Sequence, residues 1–142
     1  MFKTILVPID LAELEIALPA LDVAVQFLRL SDDAKLRLLN VQTLLPAGFM
    51  EYVPANFDVE QQERAMTALT ELGAGLNVPP ERISYKVRIG GIYPEILAEA
   101  EDWGADVIVI GSHRPAMSTY LMGSNAKTVV RHAKCSVLVV RT

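Results

Sequence analysis

Two glycine-containing segments near the C-terminus carry the residue types best suited to binding a phosphate group. The first, GSHR at 111–114, follows the strand-like run VIVI at 107–110, and the second, GSN at 123–125, opens a stretch with helical spacing. A glycine at a strand end lets a ligand approach the backbone, and a helix start offers unpaired N–H groups at the positive end of the helix dipole. The two segments predict a phosphate cradle; the alternative is an ordinary strand-to-helix loop with a Ser or Asn cap.

Three side chains in these segments are candidates for phosphate contact. Arg114 could neutralise a phosphate charge, and a solvated loop arginine is an equal alternative. His113 could also reach a phosphate, although a role in a surface loop is favoured. Ser124 can cap the helix and bind a phosphate at once, because both roles use the same helix end.

Composition narrows the class of protein. The chain has 142 residues, 51% of them apolar and 21% charged, with a net charge of −4. These values predict one globular domain spanning residues 1–142. No basic stripe alternates with aromatic residues and no apolar run approaches the roughly 20 residues that span a bilayer, so neither nucleic acid nor membrane is an expected partner. No metal-ligand spacing is recognisable, and no metal site in the protein itself is expected.

The cysteine content and the first residues indicate a compartment. Segment 1–5, MFKTI, lacks the features of a signal peptide and is interpreted as the start of a first strand. The single Cys135 cannot form an internal disulfide. Both observations predict a cytoplasmic protein.

Strand and helix signals alternate along the chain. Strands are predicted at 5–7, 35–41, 83–89, 106–110 and 136–140, and helices at about 14–30, 58–76, 94–103 and 124–132. Pro19 is expected to kink the first helix or lie near its first turn, Asp58 to cap the second helix, and Pro94 to open the third. Segment 43–57 is a candidate lid, or a simple connector.

This alternation predicts a parallel sheet covered by helices on both faces, with ligands bound at the carboxyl ends of the strands beside the switch point in strand order. Segment 8–10, Val41 and Gly111 all lie at such ends and are expected to converge on one crevice. Asp10 is suited to accept a hydrogen bond from an amino or hydroxyl group; its alternative role is capping the next helix. Val41 is expected in the core, where only its backbone could recognise a base.

The chain resembles the universal stress protein family, most closely its small bacterial F/G-type members. The resemblance implies a five-stranded parallel sheet of the adenine nucleotide alpha hydrolase-like type, in strand order 3-2-1-4-5. The segments that carry it are ILVPID at 5–10, LNV at 39–41, GADVIVIGSH at 104–113, STYLMGSNA at 118–126 and VVRHAKCSVLVV at 129–140.

The resemblance also implies a ligand, namely ATP, ADP or AMP, with Mg²⁺ accompanying the phosphates. The family's nucleotide-binding branch carries the pattern G-x2-G-x9-G-[S/T]. Here the loop is one residue short and has no middle glycine. The implied binding residues include Pro8, Ile9 and Asp10 at the first strand end, where Asp10 would meet adenine. The backbone of Val41 would hold the base, Ile110 and Gly111 would line the ribose and α-phosphate region, and Gly123, Ser124 and Asn125 would bind the phosphates.

Three functions follow from the resemblance. The first is a nucleotide-binding stress-response or signalling module. The second is an enzyme with weak ATP hydrolysis or self-phosphorylation, for which the chain offers no Walker lysine motif. The third is a family member that binds no nucleotide and acts through dimerisation. The apolar last strand, 136–140, predicts a homodimer through a paired sheet edge, and the protein partner is not identified.

Overall fold

Strands and helices alternate along the computed structural model, which describes residues 2–43, 57–112 and 124–141. A short 3-10 turn, Pro80–Arg82, leads into the third strand. The elements are β1 Thr4–Pro8, α1 Leu14–Arg29, β2 Lys35–Gln42, α2 Phe57–Ala74, β3 Ile83–Ile89, α3 Ile92–Trp103, β4 Val107–Gly111, α4 Ser124–His132 and β5 Ser136–Val140.

The five strands form one parallel sheet in the order β3-β2-β1-β4-β5. Both the parallel sheet and the strand order 3-2-1-4-5 are therefore confirmed. Helices α1 and α2 pack on one face of the sheet and α3 and α4 on the other. The order reverses at β1, so this strand marks the switch point at which ligands bind in such folds.

The core lies in two layers, one on each face of the sheet. In β1, Ile5 and Val7 belong to the layer under α1, whereas Leu6 belongs to the layer under α3 and α4. All three are fully buried. A strand covered on both faces needs apolar residues at consecutive positions, which explains the continuous apolar run in the sequence.

Pro8 ends the pairing between β1 and β4. The Thr4 carbonyl accepts the N–H of Asp106, which lies in the bend just before β4, at 2.8 Å, so Thr4 directs its carbonyl toward β4. Alternate residues of a strand direct their backbone N–H and C=O groups toward the same neighbouring strand. The backbone nitrogen of Pro8 is therefore directed at β4, but proline has no N–H to donate. Pairing with β4 stops at Leu6↔Ile108, while pairing with β2 continues to Pro8↔Leu39. The pairing of β1 with β4 therefore ends two residues before the pairing of β1 with β2, at the carboxyl end of the sheet.

A buried carboxylate fixes α3 to the sheet. Glu99 is 2% exposed and accepts from Arg37 at 2.7 Å and from Arg88 at 2.8 Å. Arg88 also contacts Glu95 at 3.1 Å and Asp102 at 2.6 Å. The hydrogen bond to Glu99, with those to the other two carboxylates, raises the pKa of Arg88. This network joins three elements, β2, β3 and α3, and so sets the position of the helix beside the strand ends.

The helix boundaries correct two predictions and decide against one of the two alternatives for a third. Helix α3 begins at Ile92, so the prediction that Pro94 opens it is wrong; Pro94 lies in the first turn, where a helical N–H has no internal partner. Helix α2 begins at Phe57, and Asp58 is in its first turn rather than at its cap, a place where the helix dipole favours a carboxylate. Pro19 lies inside α1, past its first turn. The candidate lid falls largely at 44–56, outside the described residues.

Candidate functional site

A cleft of about 810 Å³ opens at the carboxyl ends of β1, β2 and β4. Its volume is within the range of roughly 300–1,000 Å³ that small-molecule sites occupy. The lining combines apolar side chains with exposed backbone and a few polar groups. The lining residues include Pro8, Ile9, Asp10, Glu13, Ile16, Asn40, Val41, Gln42, Ile92, Ile96, Ile110, Gly111, Ser112, Asn125 and Ala126.

Asp10 lies at the edge of this cleft, in the turn that joins β1 to α1. Its carbonyl accepts the Glu13 N–H at 3.0 Å, and its Oδ1 accepts the Ala12 N–H at 2.9 Å. Helix α1 is preceded by Glu13, whose side chain makes no capping bond. The alternative that Asp10 caps α1 is therefore wrong: Asp10 stabilises the turn before the helix and presents an exposed carboxylate at the cleft.

The end of β2 presents backbone groups to the cleft. Within the described residues, the last backbone hydrogen bond between β1 and β2 runs from the Ile9 N–H to the Leu39 carbonyl, at 2.7 Å. Leu39 thus faces β1, and Val41, two residues later, directs its N–H and C=O to the same side. There the chain of β1 has already turned away at Asp10. The side chain of Val41 is partly buried and packs against the core layer of α3 and α4, which agrees in part with the expected core position.

The end of β4 faces the cleft from the opposite side. The Ser112 N–H donates to the Val140 carbonyl of β5 at 2.9 Å. Ser112 and Ile110, two residues before it, therefore direct their backbone groups toward β5. Because the direction alternates along a strand, Gly111 directs its backbone groups toward β1. Gly111 lies three residues after Ile108, the last residue of β4 that is paired with β1. Gly111 itself lines the cleft at this strand end.

Gly111 has a second, structural reason to be glycine. A Cβ at this position would lie 2.2 Å from the Ile16 carbonyl oxygen and 3.0 Å from Ile16 Cγ2. The missing side chain lets the first turns of α1 approach β4 closely. The sequence pattern indicated only that a ligand could approach; the contact with α1 was not anticipated.

The N-terminus of α4 forms another part of the lining. Asn125 is half-buried and Ala126 is buried, and both border the cleft at the first turn of this helix. Unpaired N–H groups and the positive end of the helix dipole favour an anion here. Ser124 is the first residue of α4. The predicted contacts of His113, Arg114 and Gly123 lie outside the described residues.

Two polar side chains at the site were missed by sequence reasoning. Asn40 is 4% exposed and donates from Nδ2 to the Ile9 carbonyl at 2.8 Å. Gln42 donates from Nε2 to Asn40 Oδ1. Their signal was present in the sequence, since polar residues at 40 and 42 interrupt the side of β2 on which Leu36 and Leu38 are fully buried.

In residues 2–43, 57–112 and 124–141, no group of three or more His, Cys, Asp or Glu side chains is placed to hold a metal ion. No helix in these ranges combines the length and apolar character needed to cross a bilayer.

Comparison with known proteins decides the family. Residues 1–141 match the universal stress protein family. Universal stress protein G of Escherichia coli O157:H7 is 39% identical over 144 aligned positions, which cover 99% of this chain and 100% of that protein. The chain belongs to the universal stress protein family. The resemblance carried by the strand ends and the two glycine segments is thus confirmed.

Solved structures of universal stress proteins share the fold. UspA from Lactobacillus plantarum aligns with a TM-score of 0.78 at 23% identity, over 98% of this chain and 97% of that one. A universal stress protein in complex with cAMP aligns at 0.69 and 21% identity, over 98% and 97%. A family protein from Arabidopsis thaliana with AMP bound aligns at 0.67 and 18% identity, over 98% and 90%. At these identities the likeness shows the common fold.

Proposed function

We propose that this universal stress protein binds an adenine nucleotide, ATP, ADP or AMP, in the cleft at the strand ends and acts as a stress-response or signalling module. The observation that carries the proposal is the backbone of Val41, whose adjacent N–H and C=O face the cleft without a strand beside them. Adenine presents a ring nitrogen acceptor next to an amino donor, which matches this pair of backbone groups. Two family members of the same fold have cAMP and AMP bound.

The remaining lining suits the other parts of a nucleotide. Ile92 and Ile96 of α3 supply apolar surface on which a base can pack. Asp10, exposed at the cleft, is proposed to accept a hydrogen bond from the amino group of adenine. Ile110 and the Gly111 backbone are assigned to the ribose and α-phosphate.

The start of α4 is assigned to the phosphates. Ser124 and Asn125 open this helix, where backbone N–H groups favour a negative charge. Gly123, His113 and Arg114 are proposed to complete this region from the neighbouring segment. Mg²⁺ would be held mainly by the phosphates, as is usual for this ion, with the Asp10 and Glu13 carboxylates at the cleft as the available oxygen ligands.

Calorimetric titration with ATP, ADP and AMP tests this function. Asp10→Asn retains an oxygen for the Ala12 N–H but loses the charge. It should weaken binding by about tenfold or more, since a hydrogen bond to a charged group contributes about 1.5–3 kcal/mol. Asp22→Asn, on an exposed part of α1 away from the cleft, is the matched control and should bind normally. If none of the three nucleotides binds the intact protein, a family member that acts without nucleotide is the better account.

We also propose a homodimer formed through β5. This strand is at the edge of the sheet, and Val140 uses its backbone to pair with β4. By alternation Val137 and Val139 direct their N–H and C=O groups outward, where a second copy could satisfy them by two-fold symmetry. The side chains of Val137–Val140 are only partly buried within one chain, which leaves apolar surface for a partner copy to cover.

A further inference from the structure

The carbonyl of Ile9 has an unusual partner. In a regular parallel ladder, hydrogen bonds advance by two residues, so the bond from the Ile9 N–H to the Leu39 carbonyl would be followed by one from the Val41 N–H to the Ile9 carbonyl. In the described part of the chain that second backbone bond is missing. The Ile9 carbonyl instead accepts from the Nδ2 of Asn40, at 2.8 Å.

We propose that Asn40 is a positioning residue that keeps the Val41 N–H available to a ligand. Its side-chain amide supplies the donor that the Ile9 carbonyl would otherwise take from Val41. The pairing of β1 with β2 therefore stops one step early, and the next backbone donor and acceptor on β2 stay directed into the cleft. This inference rests on the proposed nucleotide site and identifies what holds its base-binding edge open.

The environment of Asn40 fixes the orientation of its amide. The residue is 4% exposed, so its polar atoms must find partners inside the protein. Gln42 Nε2 donates to Asn40 Oδ1, which leaves Nδ2 as the atom that faces Ile9. A flipped amide would place two acceptors against each other at Ile9 and two donors against each other at Gln42, so the arrangement has one stable orientation.

Removing the side-chain amide of Asn40 should let a backbone N–H become the hydrogen-bond donor to the Ile9 carbonyl. In Asn40→Leu the side chain keeps a similar size but has no donor, and the buried carbonyl would remain unsatisfied unless the Val41 N–H takes its place. The ladder would then gain one step and the cleft would lose its backbone donor. A side chain that served only to stabilise the fold would lower stability without protecting the Val41 amide.

Hydrogen exchange followed by ¹⁵N NMR on the ligand-free protein tests the inference directly. In the native protein the Val41 amide should exchange about 100-fold faster than that of Leu39, which faces β1 inside the ladder. In Asn40→Leu the two rates should come within about tenfold of each other, because both amides are then paired. Equal protection of the two amides in the native ligand-free protein would overturn the proposal, and this result does not depend on whether the variant folds.

Nucleotide titration of the same variant separates this inference from the proposed function. Asn40→Leu should weaken ATP binding by about 5- to 10-fold, the equivalent of one hydrogen bond. Normal affinity together with an unchanged Val41 exchange rate would overturn the role of Asn40. Fast Val41 exchange in a native protein that binds no adenine nucleotide would support the role of Asn40 and contradict the nucleotide assignment alone.

Discussion

Gly111→Ala should disturb the packing of α1 against β4. The new Cβ would lie 2.2 Å from the Ile16 carbonyl oxygen, against an ordinary contact of at least 3.4 Å, so the first turns of α1 must move by about 1.2 Å. The obstructing atom belongs to a helix backbone and cannot rotate away. Overpacking of this kind costs about 1–3 kcal/mol, which corresponds to a fall in melting temperature of roughly 3–10 °C for a domain of this size.

Urea denaturation and thermal melting, with an ATP titration, measure both consequences. Gly75→Ala is the matched control, because a Cβ there would lie 3.6 Å from the nearest atom, the Leu72 carbonyl oxygen. It should change the free energy of unfolding by no more than about 0.5 kcal/mol, as expected of a surface substitution. The same shift of α1 moves the wall of the cleft that contains Ile16, so Gly111→Ala should also weaken ATP binding. Unchanged stability of Gly111→Ala would refute the close approach of α1 to β4.

Three further perturbations test other parts of the structure. Glu99→Ala leaves two partly buried arginines without their common buried partner and should lower the free energy of unfolding by about 3–5 kcal/mol. Glu101→Ala, from an exposed pair on the same helix, should lower it by at most about 1 kcal/mol, and equal effects of the two substitutions in urea denaturation would contradict the network. Val139→Pro removes an N–H that β5 directs away from the sheet, and sedimentation over a dilution series should show a shift of the proposed dimer toward monomer. A native protein that is monomeric at micromolar concentration would exclude the dimer. Pro8→Ala restores an N–H directed at β4 and should weaken ATP binding about threefold or more by narrowing the cleft, while the free energy of unfolding changes by at most about 1 kcal/mol. Unaltered ATP affinity would show that Pro8 does not hold the strands apart.

The fold was predictable from local patterns because the central strands β1 and β4 are covered on both faces. The continuous apolar runs at 5–7 and 107–110 indicate buried parallel strands. Turn residues along the chain mark where one element ends and the next begins. The last helix and the last strand have the predicted bounds, 124–132 and 136–140. The errors lie at helix starts, where Asp58 and Pro94 both fit the first turn as well as they fit the cap or the opening position.

The candidate site was predictable as a set of strand ends but not as a set of contacts. The order of the strands brings Asp10, Val41 and Gly111 to one cleft, as expected from their positions in the sequence. The contact of Ile16 with Gly111 depends on the distance between a helix and a strand far apart in sequence, which periodicity does not contain. The bond from Asn40 to Ile9 likewise depends on where two strands separate.

The most direct test of the account is a titration of the ¹⁵N-labelled protein with ATP, followed by NMR. The account predicts saturable shifts of the Val41 and Gly111 amides, which border the cleft from β2 and β4. Little change is expected at Leu138, which lies in β5 on the far side of β4. Absence of any saturable shift, or binding that leaves both cleft amides unperturbed, would contradict the assignment of the cleft as an adenine-nucleotide site.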